Sequence, residues 1–223
     1  MEKEKRYVIR AAVSHVSVKI GAWTIYSYPI RFGHHFWLLV EIEDNQQEKI
    51  IEAIHGLATQ YILDRGGAQR ARIASPLGTW NSQLKAYCVV HSPQNFDIQS
   101  EWTMPYDKNY WIEPHETFTK YDKDNALDVW NSAKAFSMTL NDKDLPYSFC
   151  GMGRSLGLRC RNSNSVYATI AEYMGLEAHR FGGYKAPGLN TPLLSQAMIK
   201  YNATVGCIPI KEEGLIAHVS LNS

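Results

Sequence analysis

Apolar residues recur with two different periods along this chain, and the change of period divides it. Up to Val90 the apolar runs are short and β-rich: Tyr7–Val13, Val16–Ile20, Trp23–Ile30, His35–Ile42, Lys49–Leu57 and Leu84–Val90. Lys49–Leu57 has a composition a helix would tolerate, but Ile50, Ile51 and Ile54 keep no helical period, so a strand closed by Gly56 is expected. Beyond about residue 122 the spacing becomes helical. Asp124 can cap a helix running to about Leu140, with Ala126, Val129, Trp130, Ala133, Phe136 and Leu140 on one face and Ser137 as the polar exception. A second helix is expected from about Ser163 to Met174, with Val166, Ile170, Tyr173 and Met174 together and Gly175 as its stop. Thr204–Ile210 and Leu215–Leu221 read as strands again. Strands, then helices, then strands predict an α+β fold rather than a doubly wound parallel sheet. One domain over residues 1–223 is expected, with N-terminal strands at about 7–90, a helical half at about 122–175 and C-terminal strands at about 204–221.

Charge narrows the partners. Lys and Arg number 23 against 22 Asp and Glu, a net charge of +1, which gives no electrostatic reason to expect nucleic acid. No apolar run approaches the ~20 residues that span a bilayer, so no transmembrane segment is expected. The N-terminus, MEKEKRYVIR, lacks the apolar core of a signal peptide. Cytoplasmic synthesis is therefore expected, with secretion or injection, if any, by a route without a cleaved signal. Four cysteines, Cys88, Cys150, Cys160 and Cys207, form no CxxC pair, which leaves zinc and redox motifs unsupported. Cys150 and Cys160 could pair in an oxidising compartment. Trp111, Glu113 and His115 alternate and could line a cleft. Glu113 and His115 would also suit a metal pair on a strand, but no third ligand accompanies them, and neither metal nor cofactor is expected.

Three short segments can carry chemistry. Gly33-His34-His35 leads into the apolar run Phe36-Trp37-Leu38-Leu39-Val40, and a histidine at the mouth of a buried strand is held as rigidly as a general base requires. Alternation sends His35, Trp37 and Leu39 to one face and His34, Phe36 and Leu38 to the other, so one of the two histidines at most faces a given site. Ile54-His55-Gly56 follows on the next run, where His55 could orient a neighbouring imidazole. Arg161-Asn162-Ser163-Asn164-Ser165 crowds the start of the second helix, a pattern that caps helices. A nucleophile there would also gain from the helix dipole and from free N–H groups able to hold an oxyanion. Ser163 is the natural nucleophile, with Ser165 and Cys160 as alternatives and Asn162 as a further polar group. Each segment taken singly is also what a structural histidine or an ordinary cap looks like.

Their order is similar to that of the circularly permuted NlpC/P60 branch of the papain-like hydrolases, which includes the lecithin:retinol acyltransferase-like group. There a histidine leads an apolar strand, a second polar residue, often histidine, lies on the following strand, and a late Asn-Cys pair opens the helix bearing the nucleophile. His35-Phe36-Trp37-Leu38-Leu39-Val40, Ile54-His55 and Asn162-Ser163-Asn164-Ser165-Val166 resemble these three elements in turn. A similar Asn-Ser-Asn-Ser helix start occurs in papain-like domains of bacterial polymorphic toxins. The resemblance implies an antiparallel sheet packed against two main helices and a hydrolase of amide or peptide bonds, an amidase or peptidase. In it Ser163 would attack, His35 would take the proton and His55 would support the imidazole. It also implies a toxin or effector acting on cell-wall peptide or protein substrates, with an immunity protein as partner. The departure is Ser163, which stands where the family carries cysteine. That leaves three readings: a working serine, a substitution by Cys160, or a retained fold without catalysis. The alternatives in function are a non-catalytic binding module and a lipid acyltransferase or phospholipase. The last would need an exposed apolar anchor, which the sequence does not display.

Overall fold

The computed structural model describes residues 5–16, 18–20, 23–25, 31–44, 46–63, 69–73, 82–90, 114–148, 160–195 and 198–199. The strands are β1 (Arg6–Val16), β2 (Val18–Ile20), β3 (Trp23–Ile25), β4 (Arg31–Ile42), β5 (Glu48–Leu63), β6 (Gln69–Ile73), β7 (Gln83–Val90), β8 (Glu116–Asp122) and β9 (Tyr184–Lys185). The helices are α1 (Ala126–Asn141) and α2 (Ser163–Tyr173). Antiparallel pairing gives the order β6-β5-β4-β1-β8; β7 also pairs with β5, and β9 adds a short parallel pair to β4. β2 and β3 form a separate two-stranded ladder. Over the described residues the fold is α+β, with an antiparallel sheet and two helices.

Gly56 does not close its strand. β5 runs on to Leu63 and uses its length to serve three neighbours: β4 along Glu48–Ile54, β7 along Glu52–Thr59 and β6 along Thr59–Leu63. β8, absent from the sequence reading, pairs antiparallel with β1 and keeps most of its side chains exposed, so it carries no apolar alternation to read. The expected strands at 204–210 and 215–221 lie outside the described residues, as does Trp23–Ile30 beyond Ile25.

The pleat sorts the interior into two clusters. On one face Ile9, Ala11, Val13, Trp37, Leu39, Ile54, Leu84 and Ala86 meet Trp130, Phe136 and Leu140 of α1 and Val166, Tyr167 and Ile170 of α2. On the other, Val8, Ala12, Phe36, Leu38, Val40 and Ala53 form a smaller buried group. Both helices therefore lie on one side, as their single apolar stripes require. Asp124 is not the cap of α1: that position is Asn125, whose side chain makes no capping bond. Ser137 is buried and satisfies itself by donating to the Ala133 carbonyl.

Polar pins fix α1 against the sheet. The Glu52 carboxylate accepts from the Trp130 indole N–H and from the Lys134 ammonium. At the other end the Asn141 amide accepts from Ala86 N–H and donates to Ala86 C=O, satisfying backbone of β7 as a neighbouring strand would. Cys88, beside Glu52, is buried, and burial together with that carboxylate pushes its thiol far above the ordinary range, which makes it inert.

Gly56 sets the distance between β5 and α2. A Cβ there would stand 2.6 Å from Val166 Cβ and 3.0 Å from Ser163 Cα, a backbone atom. Gly56→Ala therefore forces the helix start outward and is expected to destabilise the fold by about 1–3 kcal/mol. Urea unfolding monitored by tryptophan fluorescence checks this, and an unchanged midpoint would show that α2 is not seated on β5.

Candidate functional site

The start of α2 is built by a reciprocal cap. Asn162 takes extended backbone at the N-cap, and its side-chain oxygen accepts from the N–H groups of Asn164 at 3.0 Å and Ser165 at 3.3 Å. Ser165 answers by accepting from the Asn162 N–H, and its hydroxyl donates to the carbonyls of Cys160 and Gly188. Asn162 and Ser165 are thus occupied as structure, and Ser165, fully buried, is not placed to act as a nucleophile. Cys160 is disulfide-bonded, so it presents no thiol. Ser163 remains: it is the first residue of the helix, half-buried, and its hydroxyl makes no hydrogen bond among the described residues.

The cap also consumes most of the donors expected to hold an oxyanion. The N–H groups of Asn164 and Ser165 go to the Asn162 side chain, and that of Val166 goes to the Asn162 carbonyl. Among the described residues the N–H of Ser163 is the one left in the first turn for a ligand.

His35 reaches this helix start from β4. The Asn164 side-chain oxygen accepts from His35 N–H at 3.0 Å and from His35 Nδ1 at 3.1 Å, while the Asn164 Nδ2 donates to the Pro187 carbonyl at 3.1 Å. The amide is held at both ends, which fixes which of its atoms is the acceptor. His35 must then carry its proton on Nδ1, leaving Nε2 with a lone pair. Nε2 is buried and makes no hydrogen bond among the described residues. Burial lowers the imidazole pKa, outweighing the Asn164 and Gly33 hydrogen bonds that raise it, and the charges of His179 and Arg180 lower it further. The ring is a neutral base near neutral pH.

His55 does not support His35. Alternation turns it to the opposite sheet face, where His55 Nδ1 lies 3.0 Å from His34 Nε2 and the two rings stack with centroids 5.3 Å apart. Phe36 packs on His55 at 4.4 Å. The expected Ser163–His35–His55 relay is therefore divided between two faces, and His34 belongs with His55. Asn164 takes the orienting place instead. Sequence reading passed over it, although the doubled Asn-Ser pattern supplies one asparagine more than a cap needs. Trp111 and Glu113 lie outside the described residues, and among the described residues no group of three or more His, Cys, Asp and Glu could hold a metal ion. No helix there is long and apolar enough to cross a membrane.

Comparison with family models, with curated proteins and with solved structures found no match.

The His34–His55 pair makes stability pH-dependent. Burial pushes His34 down to about 3 and His55 well below its ordinary value. Between the unfolded value near 6.5 and those depressed values, the unfolded chain binds protons that the native chain does not, so stability falls as pH falls. The loss is expected to approach ~1.4 kcal/mol per pH unit for each histidine, beginning below about pH 6.5. Urea unfolding from pH 7 to pH 4.5 should show this slope, and His34→Gln should flatten it by about one proton. Equal slopes in both proteins would refute the assignment.

Proposed function

We propose that the chain is a hydrolase of amide or ester bonds whose base is His35, whose orienting group is Asn164 and whose nucleophile is Ser163. The observation that carries this reading is the tautomer: Asn164, held in turn by Pro187, leaves a neutral His35 with its Nε2 lone pair unused beside a helix start. Serine is almost never ionised at neutral pH and needs such a base. In the proposed reaction His35 Nε2 takes the Ser163 proton as Oγ attacks the carbonyl carbon. The N–H of Ser163 stabilises the oxyanion. As the tetrahedral adduct collapses, His35 returns the proton to the leaving amine or alcohol, and water, deprotonated by His35, then releases the acid and restores Ser163.

The resemblance of the sequence order His35, His55, Asn162-Ser163 to permuted NlpC/P60 enzymes supports peptide or cell-wall amides as the substrate class, and an effector role with an immunity partner. One observation favours a second reading, a non-catalytic binding module: Ser163 and His35 share no hydrogen bond.

Assays on a p-nitrophenyl ester and on cell-wall stem peptides separate the two. Ser163→Ala and His35→Ala should each lower kcat by ~10²–10⁴-fold. Asn164→Ala, which leaves the longer contact to the Gly33 carbonyl at 3.3 Å to hold Nδ1–H and so loosens the ring, should also lower kcat, by a smaller factor and with KM little changed. Hydrolysis undiminished in Ser163→Ala would remove the serine mechanism. No hydrolysis by the unaltered chain, with retained binding of stem peptides, would establish the module.

A further inference from the structure

His35 lies under two rings and a short stretch of chain. Its imidazole centroid is 5.5 Å from Tyr167 and 5.7 Å from Phe181, and Phe181 is 4% exposed. Phe181 comes from residues 176–181, which lie between glycines at both ends. Gly175 and Gly183 have φ of +71° and +79°, and a Cβ on Gly175, Gly182 or Gly183 would meet nothing within 4 Å. Gly175 and Gly183 thus serve backbone conformation and not close packing.

Hydrogen bonds hold this stretch at Leu176, whose N–H donates to Ala171 C=O at 2.8 Å, at Arg180, which donates to the Asn190 side-chain oxygen at 3.4 Å, and at His179, which Tyr167 binds. Tyr167 accepts from His179 N–H at 2.9 Å and donates to His179 C=O at 3.2 Å, while its ring stacks on Trp37 at 4.6 Å. His179 then continues the stack outward: it meets Phe181 edge-on at 4.6 Å and lies flat on the half-exposed Phe118 at 4.2 Å.

A buried lone pair without a donor is a costly state, and a base that must receive a proton from a reacting group has to be reached by it. We propose that residues 176–183 are a lid over His35, with Phe181 as its plug and the Tyr167 hydroxyl as its latch, and that substrate reaches the base only when the latch is released. Tyr167 is in this view a positioning residue. The catalytic consequence rests on His35 being the base; the lid itself does not, because its opening can be read without any turnover.

The measurement is the rate at which diethylpyrocarbonate modifies each histidine, resolved by peptide mass spectrometry, in the full-length chain. His34 and His55, which pair on the opposite sheet face away from residues 176–183, are the references for opening elsewhere in the chain. In the wild type, His35 should react at least ~10-fold more slowly than the partly exposed His179, yet faster than His34 and His55. Tyr167→Phe keeps the ring stack and removes the latch, and should speed His35 several-fold without speeding His34 or His55; Phe181→Leu should do the same. Equal acceleration of all three histidines, or none, overturns the lid. So does a wild-type His35 that reacts as fast as His179 or only as fast as His34. If Tyr167→Phe does not fold, the wild type decides: modification of His35 must rise at urea concentrations that leave His34 and His55 untouched. Loss of the serine mechanism in the Ser163→Ala assay would leave all these expectations standing.

Discussion

The amide of Asn164 joins three parts of the chain that are far apart in sequence. Its oxygen takes two donors from His35 on β4, and its nitrogen serves the Pro187 carbonyl in the turn that follows β9. The side chain is buried, so a group left unpaired there would cost ~1–3 kcal/mol. An aspartate in its place would set an oxygen against the Pro187 carbonyl, and an apolar residue would abandon all three partners. The Asn162 amide donates to the same Pro187 carbonyl, so one backbone oxygen is shared by the cap and by the group that orients the imidazole. Gly188 makes that approach possible: it has φ of +89°, and a Cβ there would lie 2.6 Å from the Asn162 side-chain oxygen. The helix cap, the turn and the histidine are consequently one hydrogen-bonded unit.

His34 and His35 are neighbours in sequence and have different physical fates. The pleat sends His35 under the helices, where an amide fixes its tautomer, and sends His34 to the opposite face, where the available partner is another imidazole. Both are forced towards neutrality by burial. On the helix side the neutral ring has hydrogen bonds that raise its proton affinity in part; on the other side, among the described residues, the two imidazoles bond to each other and pack with Phe36. The same desolvation thus yields a usable base on one face and an acid-sensitive structural element on the other.

The strands that alternate and the helices that carry an apolar stripe were legible because burial on one face imposes a period. β8 was not, since an exposed edge strand such as Glu116–Asp122 needs no period. The end of β5 was misread at Gly56 because glycine usually weakens a strand, whereas here its missing Cβ admits Val166 and the start of α2. His35 and Ser163, the base and nucleophile of the proposal, come from the sequence, and the two faces of the Gly33-His34-His35 segment were legible there. The partner of each histidine was not. Which strand lies beside which residue depends on register, and in the observed register Trp37 stands opposite Ile54, with His55 turned away from the helices. Cys160 and Ser165 were reasonable candidates by position; a disulfide in one case and a capping box in the other are contacts that single residues do not announce.

A helix N-terminus offers its four free N–H groups either to its own cap or to a ligand, and the two uses compete. Here the cap wins nearly all of them, which leaves the first helical residue, Ser163, with a hydroxyl and an N–H that no other described residue shares. The proposed acyl transfer would use both, because nucleophile and oxyanion donor must flank one carbonyl. The remaining requirement is a base, and a serine demands more of it than a cysteine would. Burial keeps His35 unprotonated at neutral pH, but the burial that makes the ring a base also hides it from a substrate. A site on these terms can work only if its cover moves, so the glycines on either side of residues 176–181 and the Tyr167 hydroxyl that binds His179 bear as directly on the proposed chemistry as the residues that would carry it out.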